Sequence, residues 1–350
     1  MWTGGLSRWS APPGGRYLYD PPQMGNAGKH LVSLVMAAWN PRVDWFRDAV
    51  GSALQQTGCE LELVVVDDGS TEPIESLLEG FEDPRLDVVR VPHGGAPRAL
   101  NAVLPRLRGD YVRFIDADDV IVRDSTSWLI DLAAGSQPVI SYGATVFCDE
   151  RLRPRWKMTS RLQGSIAREC LIGRFAARPH ALLFPRSVVE ATGQWDPAFT
   201  VSYDWDYVLR ALDHAPVRGT RAAATLYRRH PGSSTANLSA GEEGAWRVLA
   251  KYLDRHPEAR GTALERRARA QIYAVTARSR ATHGQYREAL DRLARGMRLY
   301  PAAPAFELAL GARALAGRLR SDLMARLARD QAASDRTESP DGLVPAPQSR

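Results

Sequence analysis

From residue 31 onward, short apolar runs alternate with amphipathic stretches. Leu31-Val32-Ser33-Leu34-Val35-Met36, Leu61-Glu62-Leu63-Val64-Val65-Val66, Leu86-Asp87-Val88-Val89-Arg90-Val91 and Tyr111-Val112-Arg113-Phe114-Ile115 are short and mostly rich in β-branched residues, so each is predicted to be a strand. Helices are predicted between them, near Trp45 to Gln55, from Ile74 to Phe81 and from Arg98 to Leu107. Such alternation implies an α/β fold with a mostly parallel sheet covered on both faces. Ligands of such sheets sit beyond the carboxyl ends of the strands.

Beyond about residue 240 the texture changes to Ala, Arg, Leu and Glu at helical spacing, predicting helices through Trp246–Leu253 and Ala263–Ala281. Gly284-Gln285-Tyr286-Arg287-Glu288-Ala289-Leu290, followed by Leu293, Leu299, Tyr300 and Pro301, resembles one tetratricopeptide-type unit. Such arrays need about three repeats, so a helical appendix is the preferred reading. The expected organisation is a mobile Gly- and Pro-rich extension over 1–29, an α/β domain over 30–240, a helical region over 241–332 and a disordered polar tail over 333–350.

Composition adds bounds rather than a function. With 350 residues, 44% hydrophobic and 25% charged, the chain has the make-up of a globular protein, not a disordered one. A net charge of +6, carried mostly by arginine, suits anionic ligands. Cys59, Cys148 and Cys170 are too scattered for a disulfide framework or a zinc cluster, which favours a reducing compartment. No apolar run approaches the roughly 20 residues that span a bilayer. The expectation is a cytoplasmic protein, with peripheral contact at the inner face of the membrane left open. No nucleic-acid motif or stacking platform is legible, so nucleic acid is not an expected partner.

The chemistry concentrates at strand ends. In Phe114-Ile115-Asp116-Ala117-Asp118-Asp119, three carboxylates follow directly on an apolar strand, and crowding like charges there is costly unless a cation compensates. Mg²⁺ or Mn²⁺ favours one or two carboxylates plus diphosphate oxygens. Helix-capping aspartates in a solvated loop are the bland alternative. A second acidic pair ends another strand, in Val66-Asp67-Asp68-Gly69-Ser70. A carboxylate there can accept a nucleobase N–H, and Gly69 permits a tight turn.

With these pieces in order, residues about 31 to 236 resemble an inverting family-2 glycosyltransferase. The resemblance rests on Ala37-Ala38-Trp39-Asn40, Val66-Asp67-Asp68-Gly69-Ser70, Gly95-Ala96-Pro97-Arg98-Ala99-Leu100-Asn101, Gly109 to Asp119, Gly193-Gln194-Trp195-Asp196 and Tyr203-Asp204-Trp205-Asp206. It implies a GT-A type nucleotide-diphospho-sugar transferase fold, Rossmann-like with a mixed, mostly parallel sheet, followed here by the C-terminal helical region. It also implies a nucleotide-sugar site of Asn40, Asp67, Asp68, Arg98, Asp116 and Ala117, with Asp68 at the donor base, Asp116 on the ribose side and Arg98 a candidate phosphate contact. Asp118 would hold Mg²⁺ or Mn²⁺ bridging the diphosphate, with His230 a second candidate ligand, and Asp204 would be the general base toward a hydroxyl acceptor. Tyr203 departs from the pattern, since the family usually has Glu there. Asp206 reads as a structural residue.

Tyr227-Arg228-Arg229-His230-Pro231-Gly232-Ser233-Ser234 resembles the loop that closes over the donor, where Arg228 and Arg229 either screen phosphate or face solvent. His93 and His180 lack spaced partners and are read as structural or solvent-facing, with a place near the acceptor side the alternative for His180. The expected donor is a nucleotide-diphosphate sugar, a UDP-sugar first, the expected acceptor a hydroxyl of a saccharide, lipid-linked saccharide or protein, and the expected role surface polysaccharide or glycoconjugate synthesis. Two other classes compete: a nucleotidyltransferase, which should show a Gly-rich phosphate loop where Trp39-Asn40-Pro41-Arg42 stands, and a non-catalytic nucleotide-binding or scaffold relative of the same fold.

Overall fold

The computed structural model describes residues 30–175, 178–230 and 237–300. The N-terminal extension, the part of the expected helical region over 301–332, the tail and most of the loop after His230 lie outside these residues. Two compact units meet between Ala268 and Arg269.

The first unit is built on one sheet. Strands β1 (Leu31–Ala38), β2 (Glu60–Asp68), β3 (Leu86–Val91) and β4 (Tyr111–Asp116) fall where the apolar runs place them. They are all parallel, in the spatial order β3-β2-β1-β4. Helix α1 (Val43–Leu54) covers one face with Phe46, Ala49, Val50 and Ala53, which are buried against Leu34, Met36, Leu63 and Val65. The stretch predicted as a helix over 74–81 is only a 3₁₀ turn, Ile74–Leu78, capped by Pro73 and anchored by buried Ile74. Helix α2 (Ala96–Val103) starts two residues earlier than predicted, with Pro97 in its first turn, where a missing N–H costs nothing. A 3₁₀ turn over Leu104–Arg106 replaces its predicted last turn.

The sheet then becomes mixed. After β5 (Val120–Ile121) and α3 (Ser125–Ala133), β6 (Ile140–Cys148) runs through the core, followed by β7 (Pro154–Met158), α4 (Ala167–Leu171), β8 (Leu182–Pro185), α5 (Arg186–Thr192), α6 (Tyr203–Ala211) and β9 (Val217–Arg228). The full order is β3-β2-β1-β4-β8-β6-β9-β5, with β7 on β6. β8 is antiparallel to both β4 and β6, so those two run the same way. Its pairing ends at Tyr142, and β7 takes the same edge of β6 from Thr145 to Cys148. Gly143 lies between the two pairings because a Cβ there would come within 2.5 Å of Trp128 and 2.6 Å of Ala224.

One charged side chain is built into this core. Arg113 of β4 is fully buried and donates five hydrogen bonds, to His180 O, Ser125 Oγ, Thr126 Oγ1, Ala224 O and Thr225 Oγ1. Burial pulls its pKa down to about 9, which still leaves a cation at neutral pH. It ties β4 to α3, to β9 and to the turn that carries His180.

Helix α7 (Leu238–Arg255) ends the α/β part, its first turn capped by the Asn237 side chain on Ala240 N. Helix α8 (Ala263–Thr282) crosses the unit boundary and α9 (Tyr286–Leu299) follows, as the helical spacing predicts. Within the second unit, Gly296 of α9 approaches Ala270 and Tyr273 too closely for a larger side chain to fit without adjustment. No helix among the described residues is long and apolar enough to cross a membrane.

Candidate active site

Strand register brings the two acidic motifs together. Ala38 of β1 pairs with Asp67 on one side, and Ala37 pairs with Asp116 on the other. The carboxylates thus stand two strand spacings apart, about 10 Å between backbones, at the carboxyl edge of the sheet.

On the β2 side, Asp67 is fully buried and both its oxygens are taken, Oδ1 by Ser70 N at 2.8 Å and Oδ2 by Arg90 at 2.6 Å. It braces the turn instead of facing the cleft. Asp68 accepts Gly94 N (2.8 Å) and Gly95 N (2.9 Å), one on each oxygen, and so fixes the loop that enters α2. Gly69 has φ +64°, and a Cβ on it would lie 2.6 Å from His93 N. Asn40, itself at φ 42°, receives a hydrogen bond from Thr71 N on Oδ1 and donates its own N–H to Ser70 Oγ, locking the β1 and β2 turns together. Beside them the Trp39 and His93 rings stack at 4.6 Å, and Trp39 is 55% exposed. Arg98 is exposed in the first turn of α2, folded back against Gly94. Asn101 exchanges two 2.8 Å hydrogen bonds with the Trp195 backbone, joining two of the motifs read from the sequence.

The β4 loop is braced from three sides. Arg228, at the end of β9, donates its backbone N–H to Asp119 Oδ1 and its Nε–H to Asp118 O, and reaches Glu150 O and Asp48. It is therefore a buried brace, which corrects both sequence readings of a phosphate screen or a solvent-facing charge. His230 Nε2 lies 2.8 Å from Asp118 Oδ2. His180, on the 3₁₀ turn Pro179–Ala181 that leads into β8, is buried with Nδ1 3.2 Å from Asp116 and 3.4 Å from Asp119. This corrects the reading of His180 as structural or solvent-facing: it belongs to the acidic cluster. No local signal could have found it, because its partners are more than 60 residues away in sequence.

The carboxylates of this cluster shift one another's ionisation. Burial, then the charges of Asp116 and Asp118, push the Asp119 carboxyl well above its ordinary range. Burial and the Asp116 charge also raise Asp118, against the hydrogen bond from His230. Asp116 keeps half of its side chain open to the cleft, yet protein crowds its other sides; that crowding opposes ionisation, but the His180 hydrogen bond and the charges of His180 and Arg178 outweigh it and hold its pKa low.

The donor set fits a hard divalent cation. Asp119 Oδ2 and His180 Nε2 are buried without a hydrogen-bond partner, and Asp116, Asp119 and His180 offer three ligand atoms within 4.8 Å of one another. Within that group Asp119 and His180 are enclosed, whereas Asp116 keeps half of its side chain exposed; next to it the Asp118 side chain is 37% exposed, with His230 at 2.8 Å. Mg²⁺ and Mn²⁺ keep positions open for substrate oxygens, which the exposed carboxylates of Asp116 and Asp118 allow and the enclosed Asp119 and His180 alone do not.

Asp204 sits in the first turn of α6, with Oδ1 accepting Trp205 N and Oδ2 3.8 Å from Arg178. Arg178 lies over the Tyr227 ring, which stacks on His180. Burial, followed by the charges of Asp116 and Asp204, raises the Tyr203 phenol well above its ordinary range, so Tyr203 belongs to the same neighbourhood. Trp45 of α1 was not singled out in the sequence. Its ring lies 4.7 Å from His230 and under the guanidinium groups of Arg42 and Arg228.

Comparisons with known proteins agree with this geometry. Residues 33–193 match the model of Glycosyl transferase family 2. The Escherichia coli protein named UDP-Glc:alpha-D-GlcNAc-diphosphoundecaprenol beta-1,3-glucosyltransferase WfaP is 27% identical over 214 residues, 59% of this chain and 80% of that protein. The putative teichuronic acid biosynthesis glycosyltransferase TuaG of Bacillus subtilis is 38% identical over 99 residues, 27% of this chain and 39% of that protein. Against four curated relatives the chain spans between 26% and 48% of their length. Among solved structures, the mannosyltransferase PcManGT from Pyrobaculum calidifontis, in complex with GDP-Man and Mn²⁺, superposes with a TM-score of 0.53 at 18% identity, covering 85% of this chain and 84% of that one. Sheet order, acidic strand ends and family match converge: residues 33–193 are similar to Glycosyl transferase family 2, and the fold is of the GT-A type.

Proposed function

We propose that the chain transfers a sugar, with inversion, from a nucleotide-diphosphate sugar to a hydroxyl of a saccharide or lipid-linked saccharide, in polysaccharide or glycoconjugate synthesis. The observation that carries this reading is the gathering of Asp116, Asp118, His230 and Asp204 around one cleft edge, linked through Arg178 and Tyr227. A UDP-sugar is the first donor to test, in keeping with the name of the WfaP relative. A cytoplasmic site of action, peripheral at the inner membrane face, goes with a lipid-linked acceptor.

In this reading Asp68 receives the base N–H on a lone pair left free by Gly94 and Gly95, beside the exposed face of Trp39. Asp67 and Asn40 hold the two turns in register, Asp116 accepts from the ribose hydroxyls, Ala117 leaves room for the donor, and Arg98 pairs with phosphate. Asp118 and His230 would hold Mg²⁺ or Mn²⁺, which supplies charge neutralisation for the departing nucleoside diphosphate. Asp204 takes the proton of the acceptor hydroxyl as its oxygen bonds to the anomeric carbon and the bond to the diphosphate breaks. The low pKa of Asp116 suits a group that must stay ionised beside the reaction.

The test is a thermal-shift series with UDP, GDP and their sugars, each with Mn²⁺ or with EDTA, since a ligand of the folded state raises the melting temperature. One nucleotide should stabilise only with metal, and Asp118→Asn should lose that response. Absence of any nucleotide response in folded protein refutes the reading.

A further inference from the structure

The strand arrangement that forms the catalytic edge also builds a ladder of rings leading away from it. Phe147 of β6 pairs in register with Tyr227 of β9 on one side and Trp156 of β7 on the other. Successive side chains of a strand point to opposite faces. Val146, Cys148 and Leu226 accordingly join a buried apolar cluster on one face, while Trp156, Phe147 and Tyr227 line up on the other. Trp156 lies flat on Phe147, centroids 3.7 Å apart and planes 7° apart; Phe147 meets Tyr227 at 5.0 Å, and Tyr227 stacks on His180 at 5.4 Å. His180 touches Asp116, and Arg178 over the Tyr227 ring touches Asp204.

Direction and exposure favour a substrate on this ladder. Because β4 and β6 run the same way, β7 occupies the end of β6 that corresponds to the Asp116 end of β4. Trp39 and Asp68 lie toward the opposite side of the strand order, beyond β4. Phe147 is buried, so Trp156 rests on a fixed support, yet Trp156 itself is 45% exposed and β7 pairs with no strand but β6 among the described residues. A ring held in this way offers a flat apolar face with little rotamer entropy left to lose. The C–H face of a pyranose is the complementary surface, apolar and flat, with hydroxyls around its rim.

We propose that Trp156 is the floor of an acceptor subsite and binds a pyranose unit of a saccharide acceptor whose reacting hydroxyl lies at Asp204. The assignment rests on the glycosyl-transfer reading and extends it: the acceptor has at least one sugar beyond the unit that reacts, and Trp156 selects for it. Trp156 is thus a specificity-determining residue with no part in donor binding or in the proton transfer.

The experiment uses the full chain with UDP and Mn²⁺ on a printed glycan array, comparing wild type with Trp156→Ala and Trp156→Tyr, each checked for folding by circular dichroism. Wild type should bind a set of oligosaccharides, Trp156→Ala should lose them, and Trp156→Tyr should retain part of the signal. With a captured glycan as acceptor, Trp156→Ala should raise KM about tenfold, the effect of losing one ring contact of about 1.4 kcal/mol. Its kcat and donor hydrolysis should stay at wild-type levels. Unchanged binding by Trp156→Ala, a blank array for wild type, or a loss confined to kcat overturns the assignment. The nucleotide thermal shift measured on the same samples separates the two failures: if it persists, only the acceptor subsite is wrong, and if it is absent, the glycosyl-transfer reading falls as well.

Discussion

Replacing Arg113 tests how this fold holds a buried cation beside its active site. The guanidinium makes five hydrogen bonds, all to neutral acceptors. At the low end of about 1.5 kcal/mol for a bond from a charged donor, these sum to about 7.5 kcal/mol. Against them stands the penalty of keeping a charge out of water, several kcal/mol after relaxation. In Arg113→Met that penalty disappears, the aliphatic volume is largely kept, and none of the acceptors becomes an orphan. His180 O keeps Thr225 Oγ1, Ala224 O keeps Val122 N, and Thr126 Oγ1 and Ser125 Oγ keep Gln56. The expected destabilisation is therefore about 1–4 kcal/mol. Arg113→Lys should cost more, because the charge stays buried while the donors fall from five to three. Urea unfolding followed by far-UV circular dichroism measures both variants. A lysine variant more stable than the methionine one would refute this balance and show that the positive charge itself, not the hydrogen-bond fork, stabilises the core. The functional readout is independent: loosening the His180 turn should weaken metal-dependent nucleotide binding in both variants.

Other substitutions probe the site directly. Asp118→Asn should lower metal-dependent turnover by at least the roughly 10- to 100-fold that loss of an outer partner of a metal site costs, read from initial rates against Mn²⁺ concentration; wild-type rates in EDTA would contradict it. Asp204→Asn should reduce kcat by roughly 10²- to 10⁴-fold with donor affinity unchanged by calorimetry, and an equal fall in donor affinity would reassign the residue. Gly69→Ala should destabilise by roughly 1–3 kcal/mol, since the new Cβ meets the His93 backbone at a positive φ; a wild-type melting temperature would count against the turn geometry. Glu62 sits in a buried position that opposes its ionisation, but hydrogen bonds from Ser33 and Arg108 prevail and hold its pKa low. Its contribution is present above the unfolded-chain value of about 4.3 and is lost as pH falls through the lower folded value. Glu62→Gln should thus be less stable than wild type at pH 7, with the gap closing below about pH 4; a gap independent of pH in urea midpoints would disprove the linkage.

The parts of this molecule that were legible in its sequence are those set by local periodicity. β1, β2 and β4 are mostly apolar, each with one polar residue inside the run (Ser33, Glu62 and Arg113), because both faces of a parallel sheet are covered, and the acidic motifs read correctly as strand ends because a run must stop where its carboxylates reach the cleft edge. The 74–81 stretch misleads for a local reason as well: Pro73 sets an extended residue before it, and only Ile74 and Leu78 are buried, too few to hold a full helix. What stayed hidden depends on pairings distant in sequence. Arg228 reads as a free cation, and becomes a brace only because β9 returns to pair with β5 and brings its backbone to Asp119. His180 reads as an isolated histidine until the Arg113 bonds and the β8 pairing place its turn against β4. Arg113 itself looks like an interruption of an apolar strand, although five acceptors from three other elements surround it. The acidic edge of the sheet is thus announced by its carboxylates, whereas the groups that set their ionisation come from chain segments whose meeting no local pattern encodes.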